Sequence, residues 1–222
     1  MVLRLAERMH VPLRDRNALL LAAGYAPAYP ARKLDDPKLE AARNAVQLLL
    51  TAHEPFPALS VDRHWHLLNH NRAVPLLLRG VLESLLRPPI NVLRLSLHPD
   101  GLAPRISNLL QWREHILVRL RHQAETTADP VLMEILKELT NYPVSGGRHT
   151  IHDIESLGSV VVPFSLVTDE GELHFVSTTT VFGTPLDVTI AELAIESFFP
   201  ADARTGEIMR RWMTDGASGD RR

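Results

Sequence analysis

Strand-like segments fall into two groups at opposite ends of a long helical block, and this order restricts the fold more than any single motif. The first group covers residues 57–70: Ala58 to Val61, a turn at Asp62-Arg63, then His64 to Asn69. The second group lies in the last third of the chain. Ser159 to Val167 is β-branched and ends at Asp169-Glu170-Gly171, and Leu173, Phe175, Ser177, Thr179 and Val181 alternate along the next segment. Val188 to Phe199 carries two opposed signals. Thr189 and Glu192 have the spacing of a helix capping box, whereas Glu192 and Glu196 interleaved with Ala191, Leu193 and Ile195 read as a strand with one wet face. Strand is the reading adopted here.

Between the groups the period is helical. Asn71 opens a helix expected to run to about Leu86, closed by Pro88-Pro89, and Ile90 to Leu97 is an almost wholly apolar segment. Residues 105–123 give the clearest helix, and Asp129-Pro130 starts another that ends near Leu139. A flexible stretch, NYPVSGGRHTIHDIESLG, follows, and a last helix is expected from Asp202 to Met213. Joining both strand groups into one antiparallel sheet, with the helices across one face, predicts an α+β domain of PAS-like architecture. Such a domain encloses a cavity between sheet and helices, where small molecules commonly sit.

The chain starts differently. Val2, Leu5, Ala6 and Met9 share one helical face, Val11-Pro12 breaks the pattern, and Arg14 to Ala23 forms a second helix stopped by Gly24. Two such helices bury too little surface to stand alone, so residues 1–26 read as the C-terminal remnant of a larger helical domain. Residues 27–36 read as a linker, 37–214 as the PAS-like domain and 215–222 as a disordered tail. Asp36-Pro37 opens the domain's first helix, with Leu39, Ala42, Val46, Leu49 and Leu50 at helical spacing.

Composition removes several function classes. The net charge of −2 in 222 residues offers no whole-protein nucleic-acid surface. Cysteine is absent, which excludes disulfides, thiolate metal sites and a cysteine nucleophile. No apolar run reaches membrane-span length and no signal-like segment begins the chain, so a cytoplasmic location is expected. No nucleophile elbow, phosphate-cradling glycine loop or dinucleotide fingerprint is present, and the chain is not read as an enzyme.

Two arginines stand on apolar faces. Arg94 shares one with Ile90, Leu93 and Leu97, and with Asn91 it is a candidate holder of an acidic ligand's polar head; an internal ion pair is the competing reading. Arg113 falls within the stripe of Ile106, Leu109, Leu110, Leu117 and Leu120 and is a candidate either to reach a ligand or to pair with a carboxylate; its neighbour Trp112 is a candidate ligand contact, with packing as the competing reading. Arg105, Arg119 and Arg121 lie off that stripe and read as solvated. Trp65, Leu67, Phe164, Phe175, Val181 and Phe182 are candidates for an apolar pocket lining, against the alternative of a closed core. His64-x-His66 with His149-x-x-His152 invites a zinc reading, but the ligand set is incomplete and no metal is expected. Ser165, Asp169 and His174 lie close in sequence, a proximity that any hairpin produces.

The blocks VPLRDRNALLLAAGYAP, HEPFPALSVDRHWHLLNHNRAV, PPINVLRLSLHPDGLAPRISNLLQWREHILVRLRHQ and VFGTPLDVTIAELAIESFFPAD closely resemble the MmyB-like family of actinobacterial transcription regulators. Four blocks in the right order, across roughly residues 1–213, carry this resemblance. It implies an N-terminal helix-turn-helix domain of the XRE class joined to a PAS-like ligand-binding domain. The implied ligand is a small molecule, fatty-acyl or lactone-like, with no other cofactor. In that family the DNA-reading helix lies upstream of the segment matching VLRLAERMHVPLRDRNALL, so DNA contact is expected only through upstream helices of the intact regulator. The implied partners are a small-molecule effector and a second copy of the chain, with no membrane. A dimerisation or protein-interaction module without ligand is the alternative, and a small hydrolase around His64, His66 or His174 is the remaining rival.

Overall fold

Side-chain caps fix where several helices begin. Asp36, Asn91, Asp129 and Asp187 each accept a hydrogen bond from a backbone N–H of the turn that follows, satisfying donors that the first helical turn leaves unpaired. In a computed structural model that describes residues 1–143 and 162–219, α1 (Val2–Arg8) and α2 (Leu13–Ala22) precede α3 (Glu40–Ala52). Strands β1 (Ala58–Val61) and β2 (Leu67–His70) follow, then α4 (Val74–Leu77), α5 (Val92–Leu97), α6 (Leu109–Thr127) and α7 (Pro130–Thr140). Strands β3 (Phe164–Thr168) and β4 (Gly171–Val181), the short α8 (Val188–Ala191), β5 (Ala194–Pro200) and α9 (Ala203–Gly219) complete the chain.

The five strands form one antiparallel sheet in the order β2-β1-β5-β4-β3. Pairing of β1 with β5, Leu59 opposite Glu196 and Ser60 opposite Ile195, joins the two distant strand groups. The architecture is α+β and PAS-like, preceded by a short helical part. Strand alternation divides the apolar residues between the two faces. Phe164, Phe175, Leu166, Trp112, Leu120 and Leu93 belong to the main core beneath the helical layer. Val46 and Leu50 of α3 pack with Ala58, Leu193 and Ile195 in a second, smaller cluster, so α3 adds cover on the reverse side.

Several boundaries differ from the sequence expectation for local reasons. His64 to His66 form a turn rather than the start of a strand, because Asp62 Oδ1 accepts from both His64 N and His66 N at 2.8 Å. Trp65 in that turn has φ 67°, a left-handed conformation costly for a bulky side chain. The helix after Asn71 stops at Leu77; Gly80 at φ 80° turns the chain, and only a 3-10 turn, Glu83–Leu86, follows. Pro104 sits in its own 3-10 turn, Ala103–Arg105, so α6 starts at Leu109. Val188 to Phe199 divides: Asp187, not Thr189, caps α8, and the strand reading holds from Ala194 onward. The last helix runs past Met213 to Gly219. In the N-terminal part, Ala6 and Leu20 are buried while Leu5 and Met9 are exposed, so the face expected to be covered is largely open. The glycine-rich stretch after Tyr142, with His149, His152 and Ser159, lies outside the described residues.

Candidate functional site

The cavity grows out of two alternations that meet. Along β5, Ile195 faces α3, while its neighbours Glu196 and Phe198 line a space under α5 and α6. Along α6, Trp112, His115, Ile116 and Arg119 recur at helical spacing on the face that closes the same space. Leu59, Leu67, Leu77, Leu93, Leu95 and Phe164 supply much of the remaining wall. The cavity has a volume of about 110 Å³ and is partly open to the surface.

One border of this apolar space is polar. Arg119 Nη2 donates to Glu196 Oε1 at 2.7 Å and to Thr179 Oγ1 at 2.7 Å. Thr179 in turn donates to Glu196 Oε1. The Glu196 side chain is only 8% exposed and that of Arg119 36%, so the carboxylate is the deeper partner. The guanidinium also lies 4.5 Å from the centre of the Trp65 ring, a favourable placement of a cation over an aromatic face. Trp65 is held by its Nε1–H bond to Gln123 Oε1 at 2.8 Å, and Gln123 donates to Arg63 O. His115 stacks on Trp112. Burial holds the His115 imidazole below its ordinary value, Arg119 adds to the effect, and Glu196 opposes it.

Trp65 and Arg119 also line a second, more open cleft of about 720 Å³. Its walls include Arg14 and Asp15 of α2, Gln123 and Thr126 of α6, and Glu192 between α8 and β5. The two side chains therefore form the partition between an inner, almost wholly apolar space and an outer cleft of more mixed lining. The outer cleft touches the N-terminal helices directly: Arg14 Nε donates to Glu192 Oε1 at 2.6 Å.

The sequence candidates are distributed unevenly over this arrangement. Trp65 and Trp112 line the inner cavity, with Trp112 Nε1 donating to Ser96 Oγ at 2.9 Å. Leu67 and Phe164 line it too. Phe175 is fully buried and stands in the core beside Phe164 and Phe198, outside the cavity wall. Asn91 is spent on structure: its Oδ1 caps α5 and its Nδ2 donates to His64 O. Arg94 forms the competing internal pair, bonded to Glu138 of α7 at 2.7–2.9 Å. Arg113 donates to Leu139 O and Thr140 O at the end of α7, where a cation complements the helix dipole. None of these three lines the cavity. Val181 lines the outer cleft, and Phe182 packs by the α3 cluster.

The solvated reading of Arg119 and the wet-face reading of Glu196 are both corrected. α6 closes over that face of β5, so the two charges meet at the cavity border. The sequence does hold one signal for this: Glu196 is the only charged residue in Leu193–Phe199.

Among the described residues, Asp62, His64 and His66 place three donor atoms within 4.8 Å of one another. Asp62 already accepts from two backbone N–H groups and lies 3.0 Å from His66 Nδ1, while His64 Nε2 lies 2.9 Å from Asp129. The set organises the turn that carries Trp65. Ser165 Oγ and His174 Nδ1 are 2.9 Å apart across the β3–β4 pair. Glu172 approaches that same nitrogen at 4.0 Å, so it does not orient the ring from its other side as a catalytic triad requires.

A five-stranded sheet in this order, with helices over one face, is the PAS-like fold. The chain belongs to the MmyB-like transcription regulator ligand binding domain family, whose model matches residues 42–211. That family is a ligand-binding one rather than a family of enzymes. Comparison with curated proteins gives no match. Among the described residues no helix is long and apolar enough to cross a membrane.

Proposed function

We propose that this chain is the effector-binding portion of a one-component transcription regulator. A small, mainly apolar molecule enters the space between the sheet and α5–α6, and its presence alters DNA binding by the intact regulator. The supporting observation is the inner cavity itself, lined mainly by apolar side chains with Ser96, Ser177, His115 and the Arg119–Glu196 pair as its polar groups, in a domain of this family. Its 110 Å³ is on the scale of an engineered cavity of roughly 150 Å³ that holds benzene. A lactone or short acyl compound fits that scale. A long fatty-acyl chain needs the Trp65–Arg119 partition to move, joining the inner space to the outer cleft.

The route to DNA runs through α2. A ligand that prefers one arrangement of the partition shifts the population of arrangements at the outer cleft, and hence the seating of the N-terminal helices. In this reading the protein is cytoplasmic and non-catalytic and works with a small-molecule effector, and DNA contact belongs to upstream helices. Exposed Leu5 of α1, Met9 just after it, and Leu19 and Leu21 of α2 favour self-association as an accompaniment. Denaturing extraction of the purified protein followed by mass spectrometry should release a small apolar compound in near-stoichiometric amount. An empty protein that also fails to bind short-chain alcohols, amides or lactones would sink the proposal.

A further inference from the structure

The identity of the polar border bears on which molecules can enter, an inference that rests on the ligand-binding reading above. We infer that the inner cavity takes ligands with a neutral, oxygen-bearing head (alcohol, ester, lactone or amide) and turns away carboxylates, and that Glu196 sets this choice.

The charge count at the wall carries the argument. Among the described residues, Arg119 and Glu196 are the only formally charged ones lining the inner cavity, and they neutralise each other at 2.7 Å. Glu196 is held there by two donors, Arg119 and Thr179, and is nearly inaccessible to water. A carboxylate entering beside this pair would put two anions against one cation in an apolar enclosure. One carboxylate would be left without compensation, the costly condition for a buried charge. His115, on the same wall, does not supply a second cation, since burial and Arg119 both disfavour its charged form.

A neutral acceptor meets none of this opposition. A guanidinium offers five N–H donors, of which the bonds to Glu196 and Thr179 account for three. The Ser177 hydroxyl and the His115 imidazole stand on the same lining and can hydrogen-bond an alcohol or amide. A lone arginine on an apolar wall would read as an anion anchor. Paired with a buried glutamate, it becomes a hydrogen-bond donor without net charge.

The test compares six-carbon probes of equal chain length, hexan-1-ol, hexanamide and hexanoate, by calorimetric or NMR titration of the full chain near neutral pH. The alcohol and amide should bind, with hexanoate at least about 100-fold weaker. In Glu196→Gln, hexanoate should rise to match or exceed hexanamide, because Arg119 then lacks its counter-charge. The paired variant Arg119→Gln/Glu196→Gln removes both charges together with the Arg119 donors, so it should bind hexanamide more weakly than the wild type while leaving hexanoate weak. Hexanoate binding the wild type as well as the neutral probes do would overturn the inference and leave the ligand-binding reading standing. Hexanoate remaining weak in folded Glu196→Gln would remove Glu196 from its role. Failure of all three probes on the wild type would overturn the ligand-binding reading, and this inference with it. Should Glu196→Gln not fold, the wild-type series still decides the choice of head group, and Glu196→Ala, which removes the same charge and leaves room for a water beside Arg119, decides the role of Glu196.

Discussion

Two arginine–glutamate pairs of similar geometry do different work in this domain. Arg94 and Glu138 tie α5 to α7 with side chains 39% and 35% exposed. Burial works against the Glu138 charge, but hydrogen bonds from Arg94 and Tyr142 outweigh it and hold the carboxyl below its usual range. Burial and the adjacent carboxylate push the Tyr142 phenol up. Arg119 and Glu196 join α6 to β5 with nearly the same contact distance, yet the carboxylate there is almost wholly enclosed and borders empty space. Environment, not contact distance, separates a tie between helices from the wall of a cavity.

Removing the cation from each pair should expose the contrast most strongly. Arg119→Met strands an enclosed carboxylate and should cost about 3 kcal/mol, whereas Arg94→Met leaves Glu138 reachable by water and should cost about 1 kcal/mol or less. Equal losses in urea denaturation would break the comparison. The smaller Arg94 loss should also fade in acid. Glu138 sits below its ordinary 4.5 when folded, so its contribution is present above that value and disappears as pH falls through the folded value.

Trp65→Phe keeps an aromatic face under Arg119 but loses the bond to Gln123, an expected loss of about 1 kcal/mol. If the partition controls entry, the same variant should admit longer alcohols than the wild type does, measured by titration across chain lengths. A weaker effect is expected from His115. Its folded value lies below the ordinary 6.5, so the unfolded chain takes up the proton first. The associated stability is complete above pH 6.5, declines as pH falls toward the folded value, then levels off. His115→Asn should flatten that portion of the stability profile; superimposable profiles would count against the buried placement. The smallest change in stability should follow Arg14→Ala, which loses an exposed pair and about 0.5 kcal/mol. Its signature should instead be faster amide exchange within residues 13–22, and unchanged protection there would separate α2 from the outer cleft.

The sheet was legible because strand grouping and alternation survive in the sequence, and helix starts were legible where Asp36 and Asp129 stand before prolines. Trp65 and Trp112 were reachable as lining because large aromatics amid apolar periodicity mark enclosed ground. The charged border was not. Alternation shows that Glu196 and Ile195 point to opposite faces, but not that α6 closes over the glutamate's side. Its partner is 77 residues away. Arg94 drew attention through a local apolar face, while Glu138, the residue that satisfies it, lies on another helix. Asn91 was open to a plainer reading, since an asparagine before an apolar helical run is a cap.

Strand β5 carries a glutamate near each end of one short span: Glu196 at the inner cavity and Glu192, just before the strand, gripping Arg14 of α2. β5 is hydrogen-bonded to β1 on one side and β4 on the other. A strand stitched along both edges resists local bending. A displacement at Glu196 would be carried rigidly as far as Ala194, where the pairing on both edges ends two residues short of Glu192. Under the proposed reading, the strand would act as a lever whose short arm ends beside the N-terminal helices.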